Sequence, residues 1–306
     1  MIRSLSIAGL LVSVFAASAG AQQSFKSAEE AAAALAGAAK AGDRAAILTV
    51  LGRGADDIIS SGDEVADNGI RESFVKAYDE KHQIEKHGDD RALLVIGNDD
   101  FPFPIPLVRK SDAWQFDTAA GRREILFRRV GANELDAIQV CLAYVDAQDE
   151  YAAADHGSGR GVYAQRVVSQ PGQKDGLYWP TAAGEEPSPL GELAAEATAE
   201  GYRVGGGGHS PFHGYYYKIL TRQGAHAPGG VLDYVVKGRM IGGFALVAYP
   251  AEYGNSGVMT FMVSHEGAIF QKDLGPHTTQ VVEQVAVFDP DDSWTRVEAT
   301  ALHVDQ

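Results

Sequence analysis

Six side chains in the first half of the chain are of types that could serve a pocket: Tyr78, His82, Asp99, Asp100, Trp114 and Asp117. General acid/base chemistry needs a titratable pair, and His82 with Asp99 would supply one if folding brought both within ~3 Å of a substrate. A simpler reading is preferred. Asp99 and Asp100 stand just before alternating prolines, where short carboxylates bond neighbouring backbone amides.

A metal centre needs several His, Cys or carboxylate groups converging, on helices usually at i, i+4. His82 and His87 are five apart, and His209 and His213 lie four apart in a Gly- and Pro-containing stretch, so all read as solvated loop histidines. Asp289-Pro290-Asp291-Asp292 offers hard oxygen ligands, but Pro290 and the missing Gly and distal Glu depart from a calcium-hand loop, leaving an acidic surface turn. Gly208-His209-Ser210-Pro211 does not fit the nucleophile turn Gly-x-Ser-x-Gly, and Gly205 to Gly208 is not followed by the Lys-Ser/Thr of a phosphate loop. No catalytic residue, metal or cofactor is therefore assigned. In the second half, Tyr215, Tyr216, Tyr217, Phe244, Tyr249, Tyr253, Phe261 and Phe270 cannot all face one side of a sheet, because alternate side chains leave opposite faces. One set should pack on a helix. The other would be covered by the rest of the chain or by a partner, with Tyr216, Tyr249 and Tyr253 as the candidate partner surface.

The elements that would position these groups are α+β. Ser27, with Glu30 three residues on, is a capping box opening an Ala-rich helix to Lys40. Gly42-Asp43 breaks it, Arg44 to Leu51 forms a second helix, and Ile70 to Lys81 a third. Ala92 to Gly97 is a short apolar run. Leu107 to Lys110 and Trp114 to Asp117 flank a hairpin turn at Ser111-Asp112, and the Pro-alternating stretch 98–106 should run along a sheet edge or rim. From Gly121 a helical pattern begins, with Leu135, Ile138, Leu142 and Val145 on its apolar face through Tyr151. A mostly irregular stretch with a helix at Leu190 to Glu200 follows. Four strands, Tyr215 to Thr221, Gly243 to Tyr249, Val258 to Val263 and Ala268 to Lys272, then make an antiparallel sheet packed on the linking helix.

The chain of 306 residues has a formal charge of −15 and one cysteine. Nucleic acid is excluded as a partner, since its phosphates would be repelled over most of the surface. Arg3, the apolar stretch Leu5 to Ala17 and Ala19-Gly20-Ala21 form a signal-peptide pattern with cleavage after Ala21, too short to span a bilayer. The expected product is a soluble exported protein, periplasmic or extracellular, with no membrane span. Cys141 has no partner and reads as a buried helix residue. The organisation is a leader (1–21), an α+β domain (22–130) and a helix-plus-sheet domain (131–306).

The opening pattern, an Ala-rich helix, Ala41-Gly42-Asp43, two further helices and strands ending in Trp114-Gln115-Phe116-Asp117, resembles the cone-shaped domains of the nuclear-transport-factor-like superfamily. That likeness implies a pocket, used by some members as an enzyme site and by many only for association. From Asn133 the order of one amphipathic helix, a variable loop, Gly214-Tyr215-Tyr216-Tyr217, Gly243 to Pro250 and Gly257 to Phe270 resembles a type IV pilin or pseudopilin head lacking its filament helix. Gly97 to Val108, Ile138 to Gln148 and Tyr249-Pro250-Ala251-Glu252-Tyr253-Gly254 together resemble the bacterial family called domain of unknown function 2950, whose name implies no activity. The preferred expectation is a non-enzymatic accessory module that docks on an envelope or secretion-system protein. The alternative is a small-ligand binder or enzyme that uses the cone pocket.

Overall fold

The computed structural model describes residues 22–182, 184–204 and 210–298. Its N-terminal unit opens with α1 (Ala28–Ala41), whose N-cap Ser27 accepts from the Glu30 amide; Glu30 returns a bond to the Lys26 amide, one residue before the position a capping box predicts. Gly42 ends α1 at φ 63°, a left-handed conformation glycine adopts without steric cost. Then come α2 (Arg44–Leu51), a 3-10 turn at Arg53–Ala55, α3 (Asp56–Ile59) and α4 (Glu64–Glu80). α4 starts six residues before the predicted Ile70, because Asp63 caps it by accepting from the Val65 and Ala66 amides.

The strands are β1 (His82–Lys86), β2 (Arg91–Ile96), β3 (Phe101–Pro102), β4 (Leu107–Lys110) and β5 (Ala113–Phe116), antiparallel in the order β1-β2-β4-β5. The predicted hairpin turn is present: Ser111 and Asp112 both have positive φ, the pair of left-handed residues that matches strand twist. β3, inside the Pro-alternating stretch, pairs with β2 off the main strand path, so the stretch borders the sheet as expected.

α5 (Thr118–Ala153) is one continuous 36-residue helix that crosses the expected domain boundary. At 1.5 Å per residue it is about 54 Å long. Its first third packs on the N-terminal unit: Gly121 lies so close to Ile105 that an added Cβ would sit 2.7 Å from the Ile105 backbone, which explains the glycine. Its remainder buries Ala137, Ile138, Cys141, Tyr144, Val145 and Gln148 against the second sheet. The predicted face is thus rotated: Ile138 and Val145 are buried and Leu142 half-buried, but Leu135 is exposed, while Cys141 and Tyr144 occupy the centre. Burial pushes the Cys141 thiol up to about 12, which keeps it protonated and unreactive.

The second unit contains α6 (Gly191–Glu200), β6 (Tyr215–Leu220), two small hairpins formed by β7 (Arg222–Gln223) with β8 (Leu232–Asp233) and by β9 (Val235–Val236) with β10 (Arg239–Met240), then β11 (Ala245–Pro250), β12 (Met259–Ser264), β13 (Ile269–Asp273), α7 (Thr278–Gln284) and β14 (Thr295–Arg296). The main sheet is antiparallel in the order β14-β13-β12-β11-β6. The chain is α+β, as its sequence implies.

Both faces of this sheet are covered by the chain itself. α5 packs on β11 and β12, and α7 packs on β11. Lys218 of β6 donates from Nζ to the carbonyls of Val282, Glu283 and Val285, capping the C-terminal end of α7. Because Tyr216 and Lys218 share a face, the Tyr216–Tyr249 ring pair, with centroids 5.5 Å apart, lies on the α7 side of the sheet.

Candidate functional site

A cavity of about 1340 Å³ lies in the N-terminal unit. Its origin is visible in the side chains. α1 turns mostly alanines inward, with Leu35 the one large aliphatic residue on its buried face, and α4 buries only Tyr78 along 17 residues. Such small side chains leave the space between α4 and the sheet unfilled. The inward stripe of α4, Asp67, Ile70, Arg71, Phe74 and Ala77, recurs at helical spacing and lines the cavity. Leu35, Ile47, Leu51, Ile58, Phe103, Ile105 and Ile125 supply most of the remaining wall, an apolar surface. Ile70 is 57% exposed although it faces this space, so the rim reaches solvent.

Polar groups sit at particular places on that wall. At the α1–α2 corner, Arg71 donates from Nη1 to the Ala39 carbonyl at 3.0 Å, and Arg44 pairs with Asp56 at 3.1 Å. Towards the C-terminal end of α4 stand Glu80, Asn98 and Asp99, with the Arg128 guanidinium over the Phe101 ring at 5.3 Å.

Buried polar groups gather around residues 58–67, a strap with the cavity on one side and the second unit on the other. Arg129 of α5 is buried; it donates to the carbonyls of Asp57 and Ile58 and to Asn255 Oδ1 of the second unit. Asn255 in turn donates to the Ser60 carbonyl and to Glu252. Gly62 has φ 84°, a conformation that favours glycine, and an added Cβ would meet the Glu252 side chain at 2.9 Å, so a larger residue there would force Glu252 to move. Asp63 is buried and accepts, besides its two cap bonds, from the Tyr202 hydroxyl at 2.8 Å and the Gly214 amide at 2.9 Å. Burial pushes the Asp67 carboxyl up, opposed by two bonds from the Ser61 amide and by the charge of Arg129.

His213 fastens the outer edge of this junction. It lies at φ 49° with Nδ1 3.0 Å from Asp136 of α5 and Nε2 2.7 Å from Glu200 of α6. Burial opposes its protonation, but the two carboxylates outweigh burial and raise it to about 9. The solvated histidine expected from sequence is instead a charged clamp. Since its folded value lies above the unfolded one, the clamp contributes fully below about pH 6.5 and is lost as the pH rises through about 9. Urea unfolding of wild type against His213→Asn should show a difference of ~1–2 kcal/mol near pH 6 that disappears by pH 10, after discounting for the half-exposed carboxylates. A pH-independent difference would show that the imidazolium does not act in this way.

Of the six residues singled out in the sequence, only Asp99 lines the cavity. Tyr78 is buried under the stacked His82 ring, 3.9 Å away, and His82 Nδ1 is held 2.8 Å from the Tyr78 carbonyl, so His82 is engaged with Tyr78 and does not line the cavity. Asp100 pairs with Lys81. Trp114 is core, bridged to Phe25, and Asp117 caps α5 through the Ala120 amide. The His82–Asp99 pair is therefore not assembled at the cavity. Of the partner-surface residues, Tyr249 is buried, Tyr216 is half-buried, and Tyr253 is exposed with its hydroxyl bonded to Asp273. Asp289 accepts from the His226 amide and Asp291 from Ser293, so the late acidic turn bonds its own neighbours. Among the described residues no cluster of three or more His, Cys, Asp or Glu could hold a metal ion, and no helix is long and apolar enough to cross a membrane. His209 and Gly205 to Gly208 lie outside the described residues. Sequence reasoning missed Arg129, Asp63, Asp67 and Asn255; only Asp63, a cap-type residue ahead of a helical run, carried a local signal.

No curated protein and no solved structure matches this chain. A family model described as "Protein of unknown function (DUF2950)" matches residues 22–297, nearly all of the chain beyond the leader-like segment, and the protein belongs to that family.

Proposed function

We propose that the protein is an exported envelope protein that binds a small, mainly apolar molecule in the cavity beneath α4. The cavity carries the reading: its volume of about 1340 Å³ exceeds the ~300–1,000 Å³ usual for small-molecule sites, and its wall is largely aliphatic and aromatic. Filling such a space with an apolar ligand would remove surface from water at ~25 cal/mol per Å². Export is supported by the leader-like residues 1–21 and by the family match, which begins at residue 22, directly after the expected cleavage point.

The test is titration of the mature protein with Nile red, a neutral apolar fluorophore, beside Ile125→Trp, which places an indole in the cavity. Saturable binding to wild type, reduced at least about tenfold in the variant at unchanged melting temperature, is expected. Absence of saturable binding, or binding indifferent to the substitution, would refute the reading.

A second reading, docking on an envelope or secretion-system protein, draws support from the exposed Val231, Leu232, Val236 and Ile241 around the small hairpins of the second unit. Burial of Tyr249 and coverage of the sheet by α7 move this surface away from the tyrosines that the sequence suggested.

A further inference from the structure

We infer that the cavity selects a single-chain amphiphile with an anionic head, seated with the head at the Arg44–Arg71 corner and the chain running beneath α4 towards Phe103 and Ile125. This deepens the ligand-binding reading and rests on it. Three features define the polarity of the site.

The first is the corner itself. α1 and α4 run antiparallel, since Ala39 meets Arg71 while Ala36 clusters with Tyr78, and the break at Gly42 brings Arg44 to the same end. Gly42, the left-handed cap of α1, lies beside the Arg71 guanidinium, whose carbon would be 4.0 Å from an added Cβ there. The Arg71 bond to the Ala39 carbonyl fixes the fork at the cavity edge, and a guanidinium fork matches a carboxylate geometrically.

The second is the replaceability of the present partners. Arg44 and Asp56 are each 57% exposed, and Glu72, 3.4 Å from Arg71, is 73% exposed. Exposed pairs of this kind are worth little, so a desolvated ligand head can displace them. Asp67, a half-buried carboxyl of the same α4 stripe, is committed to the Ser61 amide and balanced by Arg129. Glu64 is exposed at the start of α4.

The third is the opposite end. There the exposed Glu80 and Asp99 line the wall, and Arg128 is engaged by Glu124 at 2.7 Å and by the Phe101 ring. The two lining carboxylates outnumber the single lining cation, Arg128, whose pair with Glu124 is about as exposed as the Arg44–Asp56 pair, so an anionic head is favoured less there than beside the two arginines of the corner. Between the ends Leu35, Ile58, Phe74, Ala77 and Ile105 give a mainly apolar wall, suited to an alkyl chain, with Asp67 and Arg129 confined to the strap side.

Isothermal titration of the mature full chain with dodecanoate, dodecanol and dodecyltrimethylammonium tests this. Wild type should bind dodecanoate tightest. Arg71→Gln should weaken dodecanoate about tenfold and leave dodecanol within about twofold, which also shows that the variant is folded; Arg44→Gln should act in the same direction with a smaller effect. Equal affinity for all three probes, or equal loss for acid and alcohol in Arg71→Gln, would overturn the anionic-head inference while the ligand-binding reading stands. Preference for the ammonium probe would overturn it too. Failure of every probe, together with failure of Nile red, would sink both.

Discussion

An Asp63→Ala protein should lose about 3–5 kcal/mol of folding free energy, an effect out of proportion to one side chain. Its carboxylate is the shared acceptor for the Val65 and Ala66 amides, the Tyr202 hydroxyl and the Gly214 amide. Two of those donors begin α4 and two belong to the second unit. Alanine would remove the α4 cap, typically ~1 kcal/mol, and strand buried donors at ~1–3 kcal/mol each, less what water recovers. Asp63→Asn keeps one acceptor oxygen but turns an amide N–H₂ towards a donor, so an intermediate loss is expected. Urea unfolding followed by tryptophan fluorescence reads both variants. A loss below about 1 kcal/mol for alanine would show that water replaces the carboxylate and that the junction is not sealed.

Arg129→Met should cost a similar ~3–5 kcal/mol, and the cost should depend on pH. The guanidinium satisfies the carbonyls of Asp57 and Ile58 and the side chain of Asn255, and its charge opposes the rise of the Asp67 carboxyl. Without it, the Asp67 folded pKa rises further above its unfolded value. A group raised in this way gives stability that is present at acid pH and lost as pH climbs through the folded value. The difference between wild type and variant should therefore be larger at pH 8 than at pH 5. In the Asp67→Asn background, the pH dependence of the Arg129→Met penalty should vanish, a non-additivity expected of neighbours in one network. Equal penalties at both pH values in the wild-type background would mean that Asp67 does not sense the guanidinium.

These two substitutions address one piece of architecture. The strap at 58–67 forms cavity wall on one side and holds the second unit on the other. A ligand entering beneath α4, as proposed, would press on the backbone that also holds the second unit, so the junction variants should be assayed for Nile red binding as well as stability.

Local chemistry made much of the fold legible. Ser27, Gly42-Asp43 and the helical run after Arg44 marked α1 and α2, Ser111-Asp112 marked a hairpin, and the β-rich runs after Gly214 marked four strands whose antiparallel order the structure bears out. α7, β14 and the small hairpins escaped notice because each is too short for a periodic pattern to rise above its surroundings. The candidate site was much less legible. Trp114 and Asp117 have residue types suited to a pocket but serve as core and cap, whereas Arg129 looked like one more charge on a long helix and is buried.

By itself, then, the sequence determined the elements, the α+β class and the family resemblance, because caps, turns and apolar periodicity are decided within a few residues of the backbone that they shape. Only the tertiary structure decided where the empty volume falls, which arginine is buried, and that His213 meets two carboxylates from different helices. Those properties depend on distances between residues far apart in the chain, such as Arg129 and Asn255, and no local pattern encodes such a distance.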